Sequence, residues 1–178
     1  MASTYFARPL TSHTADMTFP LVQMLQADLT LERWREFVSE FCASTSQVKP
    51  GEGCEDILWL RPRGVIVAAN ERGYIHGLFS YQVRDDMADG RVLHLDNVMA
   101  VEIVSRAYVF DTLRDAMSRL ATDHECANVY VSLSEMDQRQ REYFGAAGFT
   151  PRKVRYCAPA VPSNRYKPSS PSKPAVPM

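Results

Sequence analysis

The sequence predicts an α/β protein of the α+β kind, with a mixed, mostly antiparallel central sheet flanked by helices. Three observations carry that expectation. Strand-like and helix-like apolar patterns alternate along the first 157 residues. Two turn signals, NERG at 70–73 and DDMADG at 85–90, join three successive strand patterns into an antiparallel meander. Residues 91–113, RVLHLDNVMAVEIVSRAYVFDTL, read as a strand running straight into a helix.

Taken in order, TYFARPL (4–10) predicts a first strand whose proline suits a sheet edge. Residues 19–29 predict a helix starting at Pro20. Thr30 can then cap a second helix, in which Leu31, Trp34, Phe37, Val38, Phe41 and Cys42 share one face and which should stop before Pro50 and Gly51. After the loop KPGEGCED, residues 57–60 and 65–69 predict two short strands separated by RPRG. A strand over 74–83 contains Gly77, a residue tolerated in a strand where something approaches its backbone closely.

In the central stretch Val92, Leu93, Leu95, Val98, Met99 and Val101 are apolar, and Asp96 and Asn97 interrupt them, as a local irregularity would. A helix follows over 106–122, and NVYVS (128–132) predicts a short strand. The pattern SEMD at 134–137 resembles a capping box, opening a helix with Met136, Gln140, Tyr143, Phe144 and Ala147 on one face and Gly148 at its end. Residues 149–157 predict a last strand. From 158 to 178 the chain is Pro, Ser, Lys and Ala without an apolar face, so a disordered tail is expected after a single domain spanning 1–157.

The 178 residues carry a net charge of −1, but no acidic residue lies beyond Glu142. Residues 1–149 therefore hold about −7, and the segment after them holds +6 from Arg152, Lys153, Arg155, Arg165, Lys167 and Lys173. Only Tyr156 and Tyr166 stand among these charges, short of the aromatic interleaving of a nucleic-acid-binding stripe, so a solvated tail is the better reading. Cys42, Cys54, Cys126 and Cys157 lie far apart without metal-ligand spacing, and neither zinc nor a disulfide framework is expected. No apolar run reaches the ~20 residues that cross a bilayer, and the N-terminus has no apolar h-region, so a cytoplasmic protein with no membrane partner is expected.

A strand that ends at a helix N-terminus offers unpaired N–H groups and the positive end of the helix dipole, which suits an anion such as phosphate. Together with TYFARPL, YIHGLFS (74–80), HLDNVMAV (94–101) and FGAAGF (144–149), the element order over residues 5–156 resembles the GNAT superfamily of acyl-CoA-dependent N-acyltransferases. The resemblance implies a fourth strand that splays from the fifth at a bulge, with the pantetheine arm of acetyl-CoA or another acyl-CoA against the backbone of Val98, Met99, Ala100 and Val101. It implies a pyrophosphate on Arg106, Ala107, Tyr108 and Val109. Where the family carries small residues this chain has Val109 and Asp111, which predicts a weakened phosphate site: glycine there would let oxygens approach the N–H groups, and a first-turn carboxylate already satisfies the dipole.

Acyl transfer to an amine needs a base for the ammonium and an acid for the leaving thiolate. His94 and Asp96, on one strand face, and Glu102 just past the strand are the candidate bases. Phe144 aligns with the tyrosine that many family members use as the acid, and the neighbouring Tyr143 is the candidate replacement. The implied acceptor is an amine on a small molecule or a protein, and a second copy of the chain, as a homodimer, is a further expected partner. The competing reading is a catalytically inactive module of this fold that has lost CoA binding and serves a binding or regulatory role.

Overall fold

The computed structural model describes residues 4–24, 26–42, 58–101, 106–133 and 138–152, without the side chains of His13, Cys42, Arg106 and Ala107. The chain forms two compact units, Met1–Arg141 and Glu142–Met178.

The first unit holds five strands whose order in the sheet is their order in the chain: β1 (Tyr5–Pro9), β2 (Arg63–Asn70), β3 (Ile75–Asp86), β4 (Gly90–Ala100) and β5 (Asn128–Val131). The first three pairings are antiparallel, and β4 pairs with β5 in parallel. The predicted meander is therefore present, and β3 runs past Val83 to Asp86. Both of its turns use left-handed glycines, Gly73 at φ +82° and Gly90 at φ +68°.

Helices α1 (Ala15–Gln23) and α2 (Leu31–Cys42) cover one face. Their Leu21, Val22, Trp34 and Val38 form one core with Val65, Val67, Leu78 and Met99 of the sheet. The Thr30 hydroxyl accepts from Arg33 N–H at 3.2 Å, as a cap should. Helix α3 (Arg106–Asp123) covers the opposite face: Val109 and Leu113 stand over Gly77, whose strand neighbour Leu78 belongs to the α1/α2 core. Helix α4 (Gln138–Ala146) crosses from the first unit into the second. In the second unit Gly148, at φ +90°, ends it, and Phe149 N–H donates to Phe144 O at 2.9 Å.

Three expectations differ from the structure. The first helix starts at Ala15, with Pro20 inside it. A short 3-10 turn, Ser12–Thr14, sets that start, and the Asp16 carbonyl deprived of a donor by Pro20 lies on an exposed residue. Leu58 and Trp59 are helical, where a strand was expected. Trp59 is buried, with the Arg119 guanidinium 4.4 Å from its ring centre and its carbonyl 3.1 Å from His124 Nε2, so α3 anchors this turn. Residues 149–152 are not in a strand; the remainder of that expected strand, the SEMD cap and the tail lie outside the described residues.

Candidate functional site

β4 is paired with β3 from Gly90 to Ala100, but with β5 only from Val92 to Leu95. β5 is four residues long, and just past it Ser132 N–H donates to Leu95 O at 2.8 Å. β4 thus runs five residues beyond its β5 pairing, from Asp96 to Ala100.

The same stretch holds the expected irregularity. Leu78 pairs with Met99 and Ser80 with Asp96, so Phe79 faces both Asn97 and Val98. Asn97 takes φ +54°, a conformation that asparagine adopts more readily than most residues. Ser80, only 3% exposed, pins the bulge: its hydroxyl donates to Asp96 O and accepts from Asn97 Nδ2, each at 3.0 Å.

Of the residues implied for the pantetheine arm, Val98, Met99 and Ala100 are buried on this strand end. Val101 N–H donates to His76 O at 2.7 Å and so faces β3. Val98 O accepts a bond of 3.1 Å from Nε2 of Gln140, a side chain 5% exposed in the first turn of α4. Periodicity gave Gln140 only a place on a helix face; its partner depends on where α4 meets β4, which periodicity does not encode.

At the start of α3, Tyr108 is exposed and Val109 is fully buried. A Cβ built on Gly77 would lie 2.7 Å from Val109 Cγ1, so the branched side chain points into the sheet. Asp111 is half exposed and pairs with Arg114 at 3.4 Å, which offsets part of its charge. Glu102 and the side chains of Arg106 and Ala107 lie outside the described residues. An acyl-CoA fits what is described: a strand end continuing past its neighbour can hydrogen-bond an amide-bearing chain, and the Val109 side chain is turned toward Gly77.

On the α1/α2 face, His94 and Asp96 stand in line with Gln82 and Ser80, their cross-strand partners on β3. His94 meets Tyr130 of β5 edge-on, with ring centres 5.2 Å apart, and the Tyr130 hydroxyl donates to Asp89 Oδ2. Tyr130 was not singled out from the sequence; its place beside His94 follows from the β4–β5 register. A pocket of about 190 Å³ opens on this face, lined by Val22, Leu29, Trp34, Phe37, Asn97 and Met99 among others. Trp34 is both core and pocket wall: it is buried, and its Nε1–H is held by Ala15 O and Thr18 Oγ1, each at 2.9 Å.

Tyr143 belongs to the second unit, where it is half buried and stands edge-on to Phe144 with centres 5.5 Å apart. Phe144 is buried and meets Phe149 at 5.2 Å, with no hydroxyl to offer a proton. Burial pushes the Cys126 thiol up, which makes it a poor nucleophile. Among the described residues no cluster of His, Cys, Asp and Glu could hold a metal ion, and no helix is long and apolar enough to cross a membrane.

No protein-family model and no curated protein sequence matches the chain. Solved structures do match it. An aminoglycoside N-acetyltransferase, AAC(6')-Iy, solved with the bisubstrate analogue CoA-S-monomethyl-acetylneamine, superimposes with a TM-score of 0.68 at 15% identity, over 89% of this chain and 100% of that one. Ribosomal-protein-alanine N-acetyltransferase from Brucella melitensis biovar Abortus 2308 gives 0.66 at 11% identity, over 88% and 99%. Glucosamine-6-phosphate N-acetyltransferase from Arabidopsis thaliana gives 0.61 at 14% identity, over 87% and 97%. With its five-stranded, mostly antiparallel sheet between helices, the chain has the fold of the GNAT acetyltransferases.

Proposed function

We propose that this protein is an N-acyltransferase that moves an acetyl or other acyl group from acyl-CoA to an amine. The observation that carries the reading is the β4 end: five residues, Asp96 to Ala100, continue beyond the β5 pairing behind a bulge that Ser80 pins. The matched structures support it, since AAC(6')-Iy was solved with a CoA-containing bisubstrate analogue and the others are named as N-acetyltransferases acting on different acceptors.

A bound acyl-CoA supplies an acyl group activated as a thioester. The backbone of Val98 to Val101 and the first turn of α3 are the parts of this chain that would hold it. Asp96 takes the proton of the acceptor ammonium, and His94, two residues earlier on the same face, is the second candidate for that task. The pocket walled by Trp34, Phe37 and Met99 lies on the same face and receives the apolar part of the acceptor.

One observation favours the inactive-module reading: the Gln140 amide already bonds Val98 O. Calorimetric titration with CoA and acetyl-CoA, followed by an amine screen for acetyl-CoA consumption, separates the two. Micromolar binding with turnover of any amine establishes the transferase. No CoA binding at millimolar concentration and no turnover across the screen support the module.

A further inference from the structure

We infer that Gln140 is a built-in latch on the β4–β5 gap, a side chain that holds the Val98 carbonyl until an acyl-CoA displaces it. The inference rests on the reading that acyl-CoA is the ligand.

The argument starts from the exposed end of a parallel seam. Leu95, the last β4 residue in the β5 register, has its carbonyl bonded by Ser132 N–H just past β5. The bulge at Asn97 adds one residue to β4 opposite Phe79 and reverses which way the following groups face. Val101 N–H then turns to β3, and Val98 O turns to the side that β5 has left. A buried carbonyl without a donor is destabilising, by the desolvation of an unpaired acceptor.

The chain meets that requirement with a side-chain amide. Gln140 Nε2 lies 3.1 Å from Val98 O, and the residue is 5% exposed. A primary amide on a flexible stem is the nearest chemical equivalent, among side chains, of the secondary amides of a pantetheine arm. An arm that pairs with this carbonyl approaches from the side where the Gln140 amide already stands. Ligand and latch are therefore in competition, and the bond to Gln140 lowers affinity for anything that takes its place. Gln140 sits in the first turn of α4, so release of the latch removes one tie between that turn and β4.

The test uses the full chain in three forms: unmodified, Gln140→Ala, and Gln140→Asn, which keeps the amide but shortens its reach by one carbon. Calorimetry with CoA gives the affinity. Side-chain amide NMR on the unmodified protein follows the Gln140 NH2 pair during the same titration, and far-UV circular dichroism confirms that the variants are folded. The latch predicts CoA binding about fivefold tighter in both variants, the worth of one net hydrogen bond, and a Gln140 NH2 signal that moves toward its solvent-exposed position as CoA is added. If only the variants bind, the latch stands and the unmodified protein is held closed.

If the unmodified protein binds CoA, the variants bind no tighter and the Gln140 signal stays put, the latch is overturned and the acyl-CoA reading survives. If no form binds CoA at millimolar concentration, both are overturned. Should Gln140→Ala not fold, Gln140→Asn and the NMR titration decide the matter between them.

Discussion

Val109 of α3 rests directly on Gly77 of β3: a Cβ added to the glycine would stand 2.7 Å from Val109 Cγ1 and 2.9 Å from the backbone oxygen of Met99. The strand has no room there for any side chain. Gly77→Ala is therefore expected to destabilise the protein by about 2 kcal/mol, the range for overpacking a filled core, as read by urea denaturation. Pairing it with Val109→Ala should recover only part of the loss, because the Met99 oxygen is backbone and cannot withdraw cheaply. Full recovery would mean that the side-chain contact alone sets the spacing of α3 from the sheet.

The proton-accepting role falls on the β4 face. Asp96→Asn is expected to lower kcat with a suitable amine by about 100-fold while leaving CoA affinity within about twofold, the pattern of a lost general base. His94→Gln should cost less than Asp96→Asn. If the order is reversed, His94 is the base and Asp96 supports the bulge only.

Asp111 is half exposed and shares its charge with Arg114 at 3.4 Å. Its repulsion of a bound phosphate is accordingly screened, and Asp111→Asn should tighten CoA binding by about threefold at low salt, with the gain shrinking as salt rises. Arg114→Ala, which leaves the carboxylate without that partner, should weaken binding. Calorimetry at two ionic strengths reads both.

An ion pair between α1 and α2 lies on the surface. Arg35 donates from Nε to Asp16 Oδ1 at 2.8 Å and from Nη2 to Oδ2 at 2.6 Å, and these bonds hold the Asp16 carboxyl below its usual value and raise Arg35. A depressed carboxylate contributes stability above its unfolded value near 3.8, and the contribution disappears as pH falls through the lower folded value. Asp16→Asn should therefore melt below the unmodified protein at neutral pH and approach it in strong acid. The difference should also narrow in high salt, because the pair is exposed. A difference unchanged across pH would assign the loss to something other than the charge.

The fold was largely legible because its signals are local. Periodicity at Leu31 to Phe41, the turns at 70–73 and 85–90, and the glycine at 77 each act within a few residues, and each appears where expected. The first helix starts earlier than Pro20 suggests, because that proline, favoured at helix N-termini, sits here inside a helix that the Thr11 and Thr14 turn has already begun. At the candidate site the irregularity at Asp96 and Asn97 was readable, but its stabilisation was not. Ser80 lies sixteen residues before Asp96, and Gln140 lies 42 after Val98; bonds of that span follow from register and packing, not from pattern. Val109 gives the plainest case. Its branched shape was readable at once, but which way it points depends on Gly77, thirty-two residues earlier in the chain.

The sheet is laid down in chain order, and this has a kinetic consequence. Short hairpin turns bring β2, β3 and β4 together, so their pairings close small loops and can form early. β5 joins in parallel only after the eighteen residues of α3 have crossed the sheet, and it adds just four residues of pairing. The seam beside the β4 end is therefore expected to form after the β2–β3–β4 meander and to open before it. In native-state hydrogen exchange Ser132 should lose protection well before the β2–β3 amides do, and equal protection would show that the sheet opens as a single unit.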